Sequence, residues 1–271
     1  MRKHLVLMAG IMAVAGQTVA QRMDVSMKLA YNTFITGEPV LLQVAVVNQT
    51  RDPIVFGDNA SLIIEITKDG AYNELTPWND APFLKSVTLT PGNTLEHKLE
   101  ADKWFSLTKS GKYTVRAVIL YNDMRYESSK KSFDVVPGIP LKSGVQMFAN
   151  KSLQRNFKLV YWARTNITHL FLRVEDEPDG QIWDTIDLGT YSRDDEPKLD
   201  IAPTGEITIL HRATRDGYLR IVIWSLPGSV EIAERDALLD PNVSASQRVR
   251  HLYGDVQEAA EKKQKSWWKF W

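Results

Sequence analysis

The 271-residue chain carries 33 basic and 33 acidic residues, is 44% hydrophobic and contains no cysteine. The charge balance excludes general polyanion binding, because a nucleic-acid binder needs a basic excess to displace counterions. Without cysteine there is no disulfide, thiolate metal site, redox pair or Cys nucleophile, so core packing alone must hold the chain, whose length suits two domains of ordinary size.

Residues 1–20 read as a cleavable export signal. Met1-Arg2-Lys3-His4 is a basic start, residues 5–16 are an apolar run, and Thr18-Val19-Ala20 places small residues before Gln21. The apolar run is too short to span a bilayer. The mature chain is therefore expected outside the cytoplasm, as a periplasmic, cell-surface or extracellular protein, with a retained anchor as the alternative. Losing Arg2 and Lys3 leaves 31 basic against 33 acidic residues, a formal charge of −2. Five N-x-S/T sequons, at Asn48, Asn59, Asn150, Asn166 and Asn242, matter only in a host that glycosylates them.

Period-two patterning dominates residues 23–137. Val25, Met27, Leu29 and Tyr31 alternate with polar neighbours, as do Val40, Leu42, Val44 and Val46, and then Tyr113, Val115, Ala117 and Ile119. Alternation puts each set on one side of a strand. Gly37-Glu38-Pro39, Asp69-Gly70, Pro91-Gly92 and Ser110-Gly111 punctuate the runs as turns. About seven short strands with little helix predict an antiparallel β-sandwich of immunoglobulin-like size.

Ser110-Gly111-Lys112-Tyr113-Thr114-Val115-Arg116-Ala117 resembles the segment that carries the tyrosine corner of Ig-like domains, where a Tyr hydroxyl ties back to nearby backbone. Val115 stands where antibody domains place a cysteine. A longer set of matches comprises Gly37-Glu38-Pro39-Val40, Asn48, Pro53-Ile54-Val55-Phe56, Asp69-Gly70, Trp78, Leu89-Thr90-Pro91-Gly92, Trp104 and Gly111-Lys112-Tyr113. On these residues the first domain resembles the bacterial intracellular proteinase inhibitor family. The resemblance implies an Ig-like fold and protease inhibition, although the export signal departs from an intracellular type.

Pro137-Gly138-Ile139-Pro140 is a short stiff punctuation before a second β domain, residues 138–236. Strands are predicted over 157–162, 168–175, 181–188, 198–201, 206–212, 218–226 and 229–234. A faint echo recurs at 40 residues: Lys158-Leu159 with Lys198-Leu199, and Thr168 and Leu170 with Thr208 and Leu210. That period is the length of a propeller blade, but two units cannot close a propeller. The reading is a sandwich or compact sheet, with a blade-like sheet as the alternative.

Residues 237–271 change character. Val249, Leu252, Tyr253, Val256 and Ala260 recur at helical spacing and predict a C-terminal amphipathic helix. The segment then runs Lys262-Lys263-Gln264-Lys265-Ser266-Trp267-Trp268-Lys269-Phe270-Trp271. Each aromatic ring can bury on the order of 150–250 Å², so Trp267, Trp268, Phe270 and Trp271 are expected to find a surface. Three surfaces compete: the chain's own β domains, a protein partner or second copy, and a membrane interface.

Chemistry is sparse. Of His97, His169, His211 and His251, none has metal-ligand spacing, though His169 and His211 would lie on neighbouring strands if the echo were real. There is no nucleophile elbow and no phosphate-cradling loop. The clusters Glu175-Asp176-Glu177-Pro178-Asp179-Gly180 and Asp194-Asp195-Glu196 lack the calcium-loop order. Among Tyr161, Trp162, Phe171, Trp183, Tyr191 and Trp224, most sit inside apolar runs and read as core. Trp183, between Gln181-Ile182 and Asp184, is the candidate ligand platform. The sequence nominates no catalytic, cofactor-binding or metal residue. It leads to an exported, non-enzymatic, all-β binding or structural protein with an aromatic docking segment, a proteinase inhibitor and a carbohydrate-binding protein being the alternatives.

Overall fold

The computed structural model describes residues 23–148, 153–177 and 180–240. The export signal and the amphipathic helix expected near the C terminus lie outside these residues. The described chain is all-β, in four sheets, with one 3-10 turn at Ala101–Lys103.

The first unit holds ten strands: β1 Met23–Leu29, β2 Thr33–Ile35, β3 Leu41–Asn48, β4 Ile54–Phe56, β5 Ala60–Lys68, β6 Val87–Leu89, β7 Thr94–Glu100, β8 Gly111–Tyr121, β9 Met124–Glu127 and β10 Lys131–Val136. One sheet runs β1-β3-β7; the other runs β2-β10-β8-β5-β4-β6, with β9 on β8. A common core lies between them. Val25 and Met27 face it from β1, Leu42, Val44 and Val46 from β3, and Tyr113, Val115, Ala117 and Ile119 from β8. These are the residues the alternation selects. Each large apolar side chain withdrawn from water contributes roughly 1.5–3 kcal/mol.

The larger sheet is mixed rather than purely antiparallel, because β2 lies parallel to β10 and β4 meets β5 through one parallel pair. Ten strands stand where about seven were expected, and three of them, β2, β4 and β6, have three residues each, too few to display a period. Tyr113 donates its hydroxyl hydrogen to the Lys109 carbonyl at 2.5 Å, the local tie its sequence context suggests.

The second unit has eight strands in two meanders. One comprises β11 Ile139–Met147, β12 Gln154–Arg164, β13 Ile167–Glu177 and β14 Gln181–Thr190. The other comprises β15 Lys198–Ile201, β16 Glu206–Thr214, β17 Gly217–Leu226 and β18 Ser229–Leu239. Phe157, Leu159, Leu170, Leu172 and Val174 of the first meander pack against Ile207, Ile209, Ile221 and Ile223 of the second. The 40-residue echo pairs β12 with β15 and β13 with β16, and so matches the second strand of one meander to the first of the other. The last strand runs three residues beyond position 236, to Leu239.

The middle strands of the first meander, β12 and β13, are covered on both faces. Their reverse side carries Val160 and Phe171, which pack on Ile35 of the first unit. Only Pro137 and Gly138 separate β10 from β11, and Arg173 Nη1 holds the Pro137 carbonyl at 3.1 Å.

Candidate functional site

A largely buried ionisable cluster lies where the two units meet. The turn after β2 pushes Thr36, Gly37 and Glu38 onto the reverse face of the first meander. Gly37 has φ +84°, and a Cβ there would lie 2.4 Å from Ile182 Cγ2 and 2.7 Å from Thr185 Oγ1. Only glycine meets both the left-handed backbone and the close approach. Thr185 donates its hydroxyl hydrogen to the Thr36 carbonyl at 2.9 Å. Glu38 accepts from the Ile35 N–H at 2.9 Å and pairs with Arg164 Nη2.

Arg164 ends β12, with its guanidinium between the rings of Tyr31 (4.2 Å) and Phe171 (4.8 Å). Its Nη1 lies 3.7 Å from Asp187, beyond a hydrogen bond. Asp187 accepts from the Gly189 N–H at 2.8 Å and faces His169 Nδ1 at 3.0 Å. Burial pushes the Glu38 carboxyl above the usual range, and Arg164 and the Ile35 N–H pull it only part of the way back. Burial acts on Asp187 in the same direction. There the His169 hydrogen bond and charge prevail, aided by Gly189 and Arg164, and hold its carboxyl below the usual range.

Of these four groups, only the Glu38–Arg164 pair crosses between the units. Arg164, Asp187 and His169 all lie on the first meander and face one another there.

His169 and His211 do not form a pair. His169 lies on the reverse face of the first meander, and His211 lies in β16 of the second, with Nε2 3.2 Å from the Thr190 carbonyl oxygen. Burial pulls the His211 imidazole down to about 4. His97 Nε2 sits 2.7 Å from the Phe83 carbonyl oxygen. Among the described residues no group of three or more His, Cys, Asp or Glu is placed to hold a metal ion. The acidic clusters face cations of their own fold: Glu175 pairs with Lys158 and Arg173, Asp176 with Arg155, and Asp195 with Arg212.

Trp183 stands at the loop end of the second unit, where the register of β13 and β14 shifts between Val174 and Glu175. It is 46% exposed, and its ring lies 4.9 Å from the Arg155 guanidinium. Arg155 is fully buried. It is held by both Asp176 oxygens at 2.6 and 2.9 Å, by Ser225 Oγ at 3.2 Å and by the Leu226 carbonyl at 2.9 Å, with Phe148 on another side at 5.3 Å. The platform candidate therefore rests on a buried cation held by four hydrogen bonds. Phe171 and Tyr191 are buried, as the core reading holds, whereas Trp224 is 40% exposed. The docking residues Trp267, Trp268, Phe270 and Trp271 lie outside the described residues.

A groove of about 300 Å³ runs over the outer face of β5 and β8, lined by Glu65, Lys68, Glu74, Arg116 and Lys130 among others. Arg116 binds Glu65 at 2.5 Å and Glu127 at 2.8 Å, and Arg125 binds the same two carboxylates, so much of the charge is internally compensated. Sequon Asn48 is buried and consumed: its amide N–H groups donate to the Asp52 and Leu89 carbonyls at 2.9 Å, and its oxygen accepts from Thr50. Asn166, between β12 and β13, is exposed.

Arg155, Arg164, Glu38 and Asp187 escaped the sequence reading. The signal for the two arginines is present: Arg155 shares the inward parity of Phe157 and Leu159, and Arg164 shares that of Val160 and Trp162. A charge on the apolar side of an alternating strand implies a buried partner.

No known family profile matches the chain, and no curated protein does. Among solved structures it is similar to the alkylpurine DNA glycosylase AlkC of Pseudomonas fluorescens, seen bound to DNA containing an abasic-site analogue. Identity there is 12% and the TM-score 0.29, over 42% of this chain and 30% of that one. It is also similar to the sporulation control protein Spo0M of Bacillus subtilis, with 11% identity and a TM-score of 0.30, over 56% of this chain and 79% of that one. The chain thus spans under a third of the glycosylase, and likenesses this distant carry no functional argument.

Proposed function

We propose that this chain is an exported, non-enzymatic recognition protein. It would present a rigid two-unit β surface outside the cytoplasm and use the aromatic residues Trp267, Trp268, Phe270 and Trp271 as a docking element. The observation that carries this reading is the use of Glu38, Arg164, Asp187 and His169. The side chains closest in kind to a reaction centre face one another, Glu38 and Arg164 across the two units and Asp187 with Arg164 and His169 within the second. The Tyr113–Lys109 tie supports an Ig-like reading of residues 23–137. The facing meanders support a sandwich rather than a blade for the second unit.

The test uses the full chain in its native host. Fractionation should place the mature form outside the cytoplasm, and the purified protein should bind the envelope fraction saturably. Replacing the four docking aromatics by alanine should weaken that binding. A mature product in the cytosol, or binding indifferent to those residues, removes the proposal. Protease inhibition, implied by the resemblance of the first unit, is tested by the mature chain against a protease panel.

Carbohydrate binding is a second reading, favoured by Trp183, whose ring has Arg155 to one side and solvent within reach. A glycan array with the Trp183→Ala variant tests it. A glycan signal lost in the variant supports the site, and one that persists, or none at all, counts against it.

A further inference from the structure

The outward face of the second meander carries a feature that neither the joint nor Trp183 uses. Along β17, Trp224 and Leu226 are 40% and 50% exposed. The register places Glu206 of β16 beside Trp224 on one flank and Glu231 of β18 on the other. Neither carboxylate has a cation partner among the described residues. Further along, Glu234 and Asp236 share the Arg220 guanidinium at 3.0 and 2.8 Å. Around Trp224 and Arg220, four carboxylates thus face one cation, with an open indole between the two unpaired ones.

Residues 262–271 have the opposite pattern: four lysines and four aromatics, with Lys269 set between Trp268 and Phe270. An aromatic ring flanked by acids matches a cation flanked by aromatic rings, through ring stacking, cation–π contact and charge together. Distance permits the contact. Glu231 lies eight residues before Leu239 on β18, about 26 Å away at the rise of a strand. The 21 residues of 241–261 cover about 31 Å even at helical rise, and more if extended. A tethered segment also meets its own chain at an effective concentration of about millimolar, above that of any free competitor at ordinary dilution.

We propose that residues 262–271 dock on the Trp224 face of the same chain, with rings on Trp224 and Leu226 and lysines on Glu206 and Glu231. This rests on the reading of those residues as a docking element and names the surface they occupy in the absence of another partner. The aromatic side chains are then kept from water until a competitor displaces them.

Zero-length carbodiimide cross-linking of the full mature chain at low micromolar concentration, followed by peptide mapping, tests the proposal. The expected products join Lys262, Lys263, Lys265 or Lys269 to Glu206 or Glu231 within the monomer. Their yield should fall about tenfold in Trp224→Ser, which keeps every reacting group and changes only an exposed ring. The proposal is overturned if the wild type gives no such links, if they appear only in dimers and grow with concentration, or if Trp224→Ser leaves them unchanged. Adding vesicles of anionic lipid separates the two readings. Vesicle capture that depends on the four aromatics, without links in the monomer, would sink the internal site and leave the docking element standing.

Discussion

Arg155 and Asp176 face each other across β12 and β13 with two parallel hydrogen bonds, 2.6 and 2.9 Å, and the arginine has no exposed surface. Removing one partner strands the other charge in a dry site. Asp176→Ala is therefore expected to cost about 3–5 kcal/mol in urea denaturation. The double variant Arg155→Met with Asp176→Leu should lose less, because no orphan charge remains. Equal losses would show that the pair is not desolvated in solution.

Gly37 predicts how tightly the units are joined. Gly37→Ala meets both a left-handed backbone, φ +84°, and the Ile182 methyl. A loss of about 1–3 kcal/mol is expected from the backbone conformation alone. Proteolysis between β10 and β11 should accelerate as the turn lifts. Adding Ile182→Ala should restore part of the loss, since it removes the clash and leaves the strain. A variant as resistant to protease as the wild type would mean that the turn does not hold the units together.

His211 sets a pH dependence with a definite sign. Burial holds its imidazole at about 4 in the folded chain against 6.5 ordinarily. Between those values the unfolded chain binds the extra proton, so stability rises with pH. The contribution, roughly 3 kcal/mol, is complete above about pH 6.5 and lost as pH falls toward 4. Denaturation midpoints measured from pH 5 to 7 should climb in the wild type and flatten in His211→Phe. Parallel slopes would show that another group controls this window.

Tyr113→Phe isolates one hydrogen bond, the tie to the Lys109 carbonyl. The expected cost is about 1 kcal/mol, with the ring stack on Phe133 retained at 5.4 Å. A stability equal to wild type would mean that water replaces the hydroxyl without loss.

Alternation made the inward residues of β1, β3 and β8 legible, because a strand with one buried face must repeat every second residue. The strand β11 went unread for the opposite reason. It is an edge strand, exposed at most positions, and contains Pro140 and Gly144. The end of β18 was missed likewise, since its exposed Glu234, Arg235 and Asp236 carry no apolar period. The joint was illegible because Glu38 and Arg164 are 126 residues apart. No local pattern reports which arginine meets which carboxylate across two units. Trp183 was legible as exposed from its polar neighbours, but the buried arginine beside it was not.

The two-residue connection between β10 and β11 holds the two units close together. Gly138, at φ +72°, packs its backbone against Val160, and Val136 gives its carbonyl to both the N–H and the hydroxyl of Thr36. A ligand long enough to touch both units would meet contact points whose spacing depends on the Gly37 turn and the Glu38–Arg164 pair. Such a ligand would spend little on aligning the two units, a gain open only to one whose own contact points match that spacing.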